Sequence, residues 1–421
     1  MALSLPTNPD LERFRRDARR LQRGVRAGDE RALALVTRFH PDGAEDAASF
    51  PLQAAQHVVA RGYGFGSWPR LIHYLEIAEP LRRDPTAPLP DDGDPLDAFL
   101  ALACLVYSED DGPHRWERAR TLLATHPDLP ARSLYAAATV GDPVAVAGYL
   151  ARDRSLARAE GGPHRWTALT HLAYSRVPQV DPVATARLLV DAGADVDAGY
   201  LWGGLPTPFT VLTGCFGEGE QGPGRQPRHP QWEPIARLLL DHGAAANDGQ
   251  TLYNRMFNPD DSHLVVLFDY GLGTGDLGVW RDRLGDNAET VAEMMGRQVG
   301  WAVEHRMTKR LELLTQHGFG PAGTSAPRRR AELPPIHRAH DAAGVRGAVE
   351  GGADVDARVR GRTALHEAAF LGDVALTTAL LEAGADPDLV DAEYGTTPLL
   401  WAEHFFQTDV ADVLRPVTGL R

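Results

Sequence analysis

Leu11, Phe14, Ala18, Leu21 and Val25 advance along the chain by three, four, three and four residues, which lays their side chains on one face of a helix of about four turns. Further on, Ser67-Trp68-Pro69 precedes the run RLIHYLEIA. Serine there can cap a helix and proline is tolerated in its first turn, so another helix is predicted to start at that point. Proline and aspartate then replace the periodic pattern from Glu79 to Pro95, which predicts a linker or a rigid turn. From residue 97 onward, short apolar blocks of helical spacing recur. Many end in glycine, as at Gly193, Gly243, Gly271, Gly318, Gly352 and Gly384, and the last three of these stand 34 and 32 residues apart. Glycine in such a place supplies a left-handed helix cap.

The clearest block runs from Arg362 to Asp388, RTALHEAAFLGDVALTTALLEAGADPD. It resembles the ankyrin repeat, whose period is about 33 residues. Thr363, Ala364, Leu365 and His366 stand where that repeat carries T-P-L-H. Ala368 and Ala369 are its small pair, Gly372-Asp373 the turn between helices, Leu380-Leu381 the core of the second helix, and Gly384-Ala385-Asp386 the exit. Partial forms occur at Leu134 to Asp142, Thr167 to Tyr174, Thr207 to Leu212, Ile336 to Ala339 and Thr397 to Ala402. The resemblance implies an all-α ankyrin-repeat solenoid over residues 97–421, with a helical N-terminal region over 1–80 and a linker over 81–96. Residues 333–418 hold its most regular repeats and 199–330 an irregular middle. Ala55 to Glu76 is similar to an N-terminal region of bacterial ankyrin-repeat proteins. By the same resemblance, the expected work is recognition of another protein through the concave face and loop tips, with no particular partner named.

A stacked repeat cannot absorb extra residues inside its helices, so insertions must lie on connections. Gly193 and Gly243 are 50 residues apart, and the surplus is Gly214 to Gln231, GCFGEGEQGPGRQPRHPQ. Its glycine, proline and polar residues predict an exposed, mobile loop. Gly271 and Gly318 are 47 residues apart, and WRDRLGDNAETVAEMM between them predicts an additional helix.

Composition narrows the function. The chain has 421 residues, 43% hydrophobic and 24% charged, which is the balance of a folded core. Two cysteines, Cys104 and Cys215, form no disulfide framework or metal knuckle, so a reducing cytoplasm is expected. No apolar run is long enough to span a bilayer, and no membrane partner is expected. The net charge of −14 disfavours nucleic acid. Arginines crowd the first helix at positions 13, 15, 16, 19, 20, 23 and 26, which predicts a solvated face or one paired with acidic residues. Lys309 is the sole lysine.

Departures from the repeat pattern concentrate between residues 199 and 305. Tyr200, Trp202, Tyr253, Trp280 and Trp301 offer flat apolar surface there. Asn247, Asp248, Gln250, Asn254, Arg255, Asp260, Asp261, His263, Arg283 and His305 offer polar anchors. Aromatic groups with convergent polar groups are shared by ligand pockets and interface hot spots, and Asn247, Gln250, Tyr253, Asn254, Asp260, Asp261 and His263 are expected to converge on one side of the array. The competing reading makes them turns, caps and core. A rival function is a small-molecule or catalytic pocket, with Asp260, Asp261 or His263 as acid or base, Arg283 orienting an anionic group, and Trp280 and Trp301 as walls. No cofactor or metal is expected, because Asp260, Asp261, His263 and His242 lack the helical spacing of a metal motif and no phosphate-binding or nucleophile motif occurs.

Overall fold

The computed structural model describes residues 5–6, 8–40, 47–88, 93–275, 277–320, 333–392 and 394–419. Helix α1 (Leu11–Arg26) is capped by Asp10, whose carboxylate accepts from the amides of Glu12 and Arg13, and it buries the stripe Phe14, Ala18, Leu21 and Val25. Helices α2 (Glu30–Phe39) and α3 (Leu52–Gly62) pack against it. Helix α4 (Trp68–Ala78) begins at Ser67, which accepts from the Arg70 amide, with Pro69 in the first turn.

Nine helix pairs follow among the described residues. They are α5 (Pro95–Ala103) with α6 (Pro113–Thr125), then, after the single turn α7 (Leu129–Arg132), α8 (Leu134–Thr139) with α9 (Pro143–Arg152), and α10 (Ala168–Tyr174) with α11 (Pro182–Asp191). Helix α12 (Val211–Phe216), the short α13 (Gly222–Arg225) and α14 (Trp232–Asp241) make the fourth unit, and α15 (Gly249–Met256) with α16 (Ser262–Asp269) the fifth. The additional helix read between Gly271 and Gly318 is α17 (Val279–Leu284), ahead of α18 (Val291–Glu304) with α19 (Thr308–Gln316). A 3-10 turn, Pro335–Arg338, pairs with α20 (Ala342–Glu350), and α21 (Ala364–Leu371) with α22 (Val374–Glu382) and α23 (Pro398–His404) with α24 (Thr408–Leu414) close the array. First helices stack in the order α5, α8, α10, α12, α15, α18, and α21 on α23; second helices stack as α9, α11, α14, and as α20, α22, α24. The protein is an all-α repeat solenoid, with strands confined to short edges. Residues 321–330 of the irregular middle lie outside the described residues.

The regular unit shows why its sequence takes this form. Thr363 caps α21 by accepting from the His366 amide, and the His366 ring Nδ1 lies within bonding distance of the Thr363 amide and hydroxyl. With Nδ1 so engaged, Nε2 carries the proton and donates to the Thr396 carbonyl of the next unit at 3.0 Å. One histidine therefore closes its own helix and ties it to its neighbour. The six terminal glycines read from the sequence have φ between 83° and 96°, the left-handed conformation their role needs.

Short strands lie at the opposite ends of the helices from the inter-helix turns. The hairpins are β2 (Glu160–Gly161) with β3 (Trp166–Thr167), and β4 (Gly199–Trp202) with β5 (Pro208–Thr210). The strand β1 (Arg82–Arg83) runs parallel beside β4, with Arg82 opposite Leu201. The N-terminal helices are thereby attached to the array. Tyr74 Oη donates to the Gly204 carbonyl at 2.6 Å, and the Asn8 amide donates to that of Gly203 at 2.7 Å. Residues 89–92 of the expected linker lie outside the described residues. No described helix is long and apolar enough to cross a membrane.

The segment Gly214 to Gln231 corrects the expectation of an exposed loop. Cys215, Phe216, Glu218, Gln226 and His229 are buried. Arg176 donates to the carbonyls of Gly214 (2.7 Å) and Pro227 (2.8 Å), while Gln226 and Arg225 bond Asp111. The segment is a strap that reaches the last unit. A Cβ on Gly222 would lie 2.7 Å from the His404 carbonyl, and one on Gly224 2.7 Å from the Phe406 ring, so glycine is what allows the approach. Beyond the buried Cys215 and Phe216, its order comes from polar bonds to distant residues.

Gly372, at φ 69°, turns α21 into α22, and the Gln407 side chain of the next unit lies against it while donating to the Phe370 carbonyl at 3.2 Å. Gly372→Ala is expected to lower stability by about 1–3 kcal/mol, from left-handed strain and collision with Gln407. Denaturant unfolding followed by tryptophan fluorescence would measure this.

Candidate functional site

The residues singled out from sequence separate into groups at opposite ends of the helices. At the hairpin edge, Tyr200 is buried between Trp166 and Phe209, with ring centroids 5.0 and 5.6 Å away. Trp202 Nε1 donates to the Val106 carbonyl, and Trp280 Nε1 to that of Asp197. Arg283 lies over Trp280 and pairs with Asp195 at 3.1 Å. Asn247 bridges the Thr274 carbonyl and the Gly273 amide. Asp248 caps α15 and also accepts from the Thr210 and Thr213 hydroxyls. Gln250 donates to Asn254, both buried. On the first-helix face, Tyr253 donates to Glu220 of the strap, and Trp301 stacks on His305 at 4.0 Å, which in turn meets Phe370. Asn247, Gln250, Tyr253, Asn254, Asp260, Asp261 and His263, expected to converge, do not all do so. Asn247 to Gln250 begin α15, and Asp260 to His263 lie beyond its far end, about 12 Å away at the helical rise.

What the structure does bring together is Arg255, Asp260 and Asp261, with Glu218, Arg228 and Arg310 added. Arg255 is fully buried and pairs with Glu218 and with Asp260 (3.3 Å). Arg228 reaches Asp260 at 2.6 Å and Glu218 at 3.5 Å. Arg310, also fully buried, holds Asp261 at 2.5 Å and donates to the carbonyls of Met256 and Asn258. Burial alone would raise the Asp260 pKa, but Arg255, the Ser262 amide and Arg228 outweigh it and hold the carboxyl below its ordinary value. His263 is buried beneath this cluster. Burial, with the charges of Arg255, Arg310 and Arg228, holds its pKa well below that of a free imidazole. The ring therefore stays neutral. Among the described residues, no three His, Cys, Asp or Glu side chains form a metal-ligand group.

The ion cluster forms the wall of a groove of about 1050 Å³ between the strap and the turns that join first to second helices. Its other wall carries Phe406, 58% exposed, and Val374, 37% exposed, beside Phe405 and Leu371. The backbone of this groove is costly. In α8–α9 and α21–α22 the turn is glycine followed by a capping aspartate, Gly141-Asp142 and Gly372-Asp373, with φ of 58° and 69° at the glycines. The equivalent pairs in α18–α19 and α23–α24 are Arg306-Met307 and Phe406-Gln407. Arg306 and Phe406 keep the left-handed φ, at 54° and 57°, without being glycine, and neither following helix has a side-chain cap. Glu218, in the strap, is left-handed too at 59°. Such a conformation costs about 1–3 kcal/mol for each non-glycine residue, and the cap is worth about 1 kcal/mol. Sequence reasoning missed Phe406, Val374, Lys309 and Arg306; the signal was the loss of Gly-Asp from two inter-helix turns.

Residues 360–392 match the family model of the ankyrin repeat. The chain is similar to the human ASB11 ankyrin repeat domain, seen in a crystal structure, at 18% identity over 68% of this chain and 98% of that one, with a TM-score of 0.22. No curated protein sequence matches it.

Because Arg255 is fully buried, Arg255→Met leaves the carboxylate of Glu218 buried without its main partner. A loss of about 3–5 kcal/mol is expected. Amide hydrogen exchange should be slow across 217–230 in the parent protein and fast there in the variant, with α5 and α6 unaffected. Equal exchange in both proteins would contradict the role given to this cluster.

Proposed function

We propose that this ankyrin-repeat protein is a binding scaffold that recognises another protein in the groove along its inter-helix turns. Ankyrin repeats are in general scaffolds for protein–protein interaction, and the repeat at 360–392 brings that class of work to this chain. The observation that carries the choice of surface is Phe406, a large apolar side chain left more than half exposed beside Gly224 of the strap, in a backbone conformation that disfavours it. Strain and apolar exposure are both destabilising, and their coincidence in one groove is what a contact surface retained for function looks like. Two other surfaces are already occupied within the chain. The N-terminal region covers the β4–β5 hairpin, and the strap touches the first-helix face at Tyr253 and His404.

The arrangement gives less support to acid–base chemistry. Asp260 and Asp261 are each held by arginine, and His263 is neutral and buried. A general base needs to reach a substrate proton, and these groups face the scaffold's own cations.

Phe406→Gly is expected to shift stability by no more than about 1 kcal/mol, because relief of left-handed strain offsets the greater freedom of glycine in the unfolded chain. With benzoylphenylalanine in place of Phe406 in the intact protein, irradiation in cell lysate should give discrete polypeptide adducts that unlabelled protein competes away and excess unlabelled Phe406→Gly does not. The same photoreactive group in place of Tyr394, exposed at the opposite edge in the connection between α22 and α23, should give none of them. Identical adducts from both positions, or equal competition by Phe406→Gly, would contradict the assignment.

A further inference from the structure

We infer that the segment received by this groove presents an acidic side chain beside a large apolar one; the inference rests on the docking surface proposed above and adds the chemistry of the occupant. The carboxylates that line the groove are already engaged. Glu218 belongs to Arg255 and Arg228, Asp260 to Arg228 and Arg255, and Asp261 to Arg310. Asp373 accepts from the Leu376 amide at 2.8 Å as the cap of α22. They have little left to offer a cationic ligand.

Lys309 is the opposite case. It lines the same groove, is exposed, and makes no hydrogen bond or ion pair among the described residues. It is also the one lysine in a chain whose other 42 basic residues are arginine. An ammonium on a flexible stem is a point charge that can follow a ligand carboxylate, whereas arginine in this chain is used for fixed, forked contacts to carbonyls and carboxylates. The groove thus combines paired anions, an available cation and the exposed apolar surface of Phe406 and Val374. In an extended segment, side chains alternate between faces, so residues two apart can place a carboxylate and an apolar group on the same face. Both residues line the one groove, so a single segment lying along it passes Lys309 and Phe406.

The test is selection of a phage-displayed library of random dodecamer peptides on the intact protein, on Lys309→Glu and on Phe406→Gly. Selection on the parent protein should enrich Asp or Glu near Leu, Ile, Phe or Trp. A selected peptide, synthesised with a fluorophore, should bind Lys309→Glu at least about tenfold more weakly than the parent in anisotropy titrations, with the difference shrinking as salt rises. Selection on Lys309→Glu should shift the enriched charge toward Lys and Arg. Enriched apolar peptides that lack an acidic bias, or that bind Lys309→Glu unchanged, would overturn the inference while leaving the docking surface in place. Peptides that bind Phe406→Gly as well as the parent would overturn the docking surface itself, and the inference with it.

Discussion

A first helix of six to eight residues, such as α8, α10 or α21, has no way to bury its own alanines and leucines. Its stability comes from the units on either side, and the small residues Ala136 to Ala138 and Ala368-Ala369 are buried where those units meet. The rest of the molecule follows from that requirement. Extra sequence cannot enter the stack, so it is displaced to its two edges. At the hairpin edge it becomes the pairing of β1 with β4 that holds the N-terminal helices. At the turn edge it becomes the strap between α12 and α14. Each addition covers part of the array and leaves another part open.

The strap brings a consequence for charge. Beyond Cys215 and Phe216 its residues bury little apolar surface, and it is ordered by Arg176, Arg228 and Arg255, which spend their donors on its carbonyls and on Glu218. Pairing of this kind is weak evidence for stability, since the desolvation of two ions offsets much of their attraction. What it fixes is position. Glu218 and its partners place the strap against the last unit, where Gly222 and Gly224 approach His404 and Phe406, and the groove lies beside that contact.

How much of this could be read in advance depends on whether a feature is local. The α1 stripe, the cap at Ser67, the Thr363–His366 pair and the terminal glycines are decided by residues a few positions apart, and each was legible. The additional helix α17 was legible from the 47-residue interval and the run that begins at Trp280. The strap was not, because its partners lie tens of residues away and its composition, taken by itself, resembles a mobile loop. The candidate residues were dispersed over the scaffold for a related reason. Asn247, Asp248 and Trp280 depart from the repeat pattern because they cap, bridge and fill an irregular unit, so departure by residue type identified scaffold as readily as function. Departure from a backbone rule was the better guide: Arg306 and Phe406 stand where two other turns have glycine.

The central claim is that the turn-edge groove, and not the hairpin edge or the first-helix face, receives the partner. Amide hydrogen exchange on the intact protein, with and without a saturating peptide selected against it, tests this most directly. New protection is expected over 258–261, 306–310, 371–374 and 405–408, with the hairpins at 160–167 and 199–210 unchanged. Protection confined to those hairpins, with the four turns exchanging as before, would contradict it.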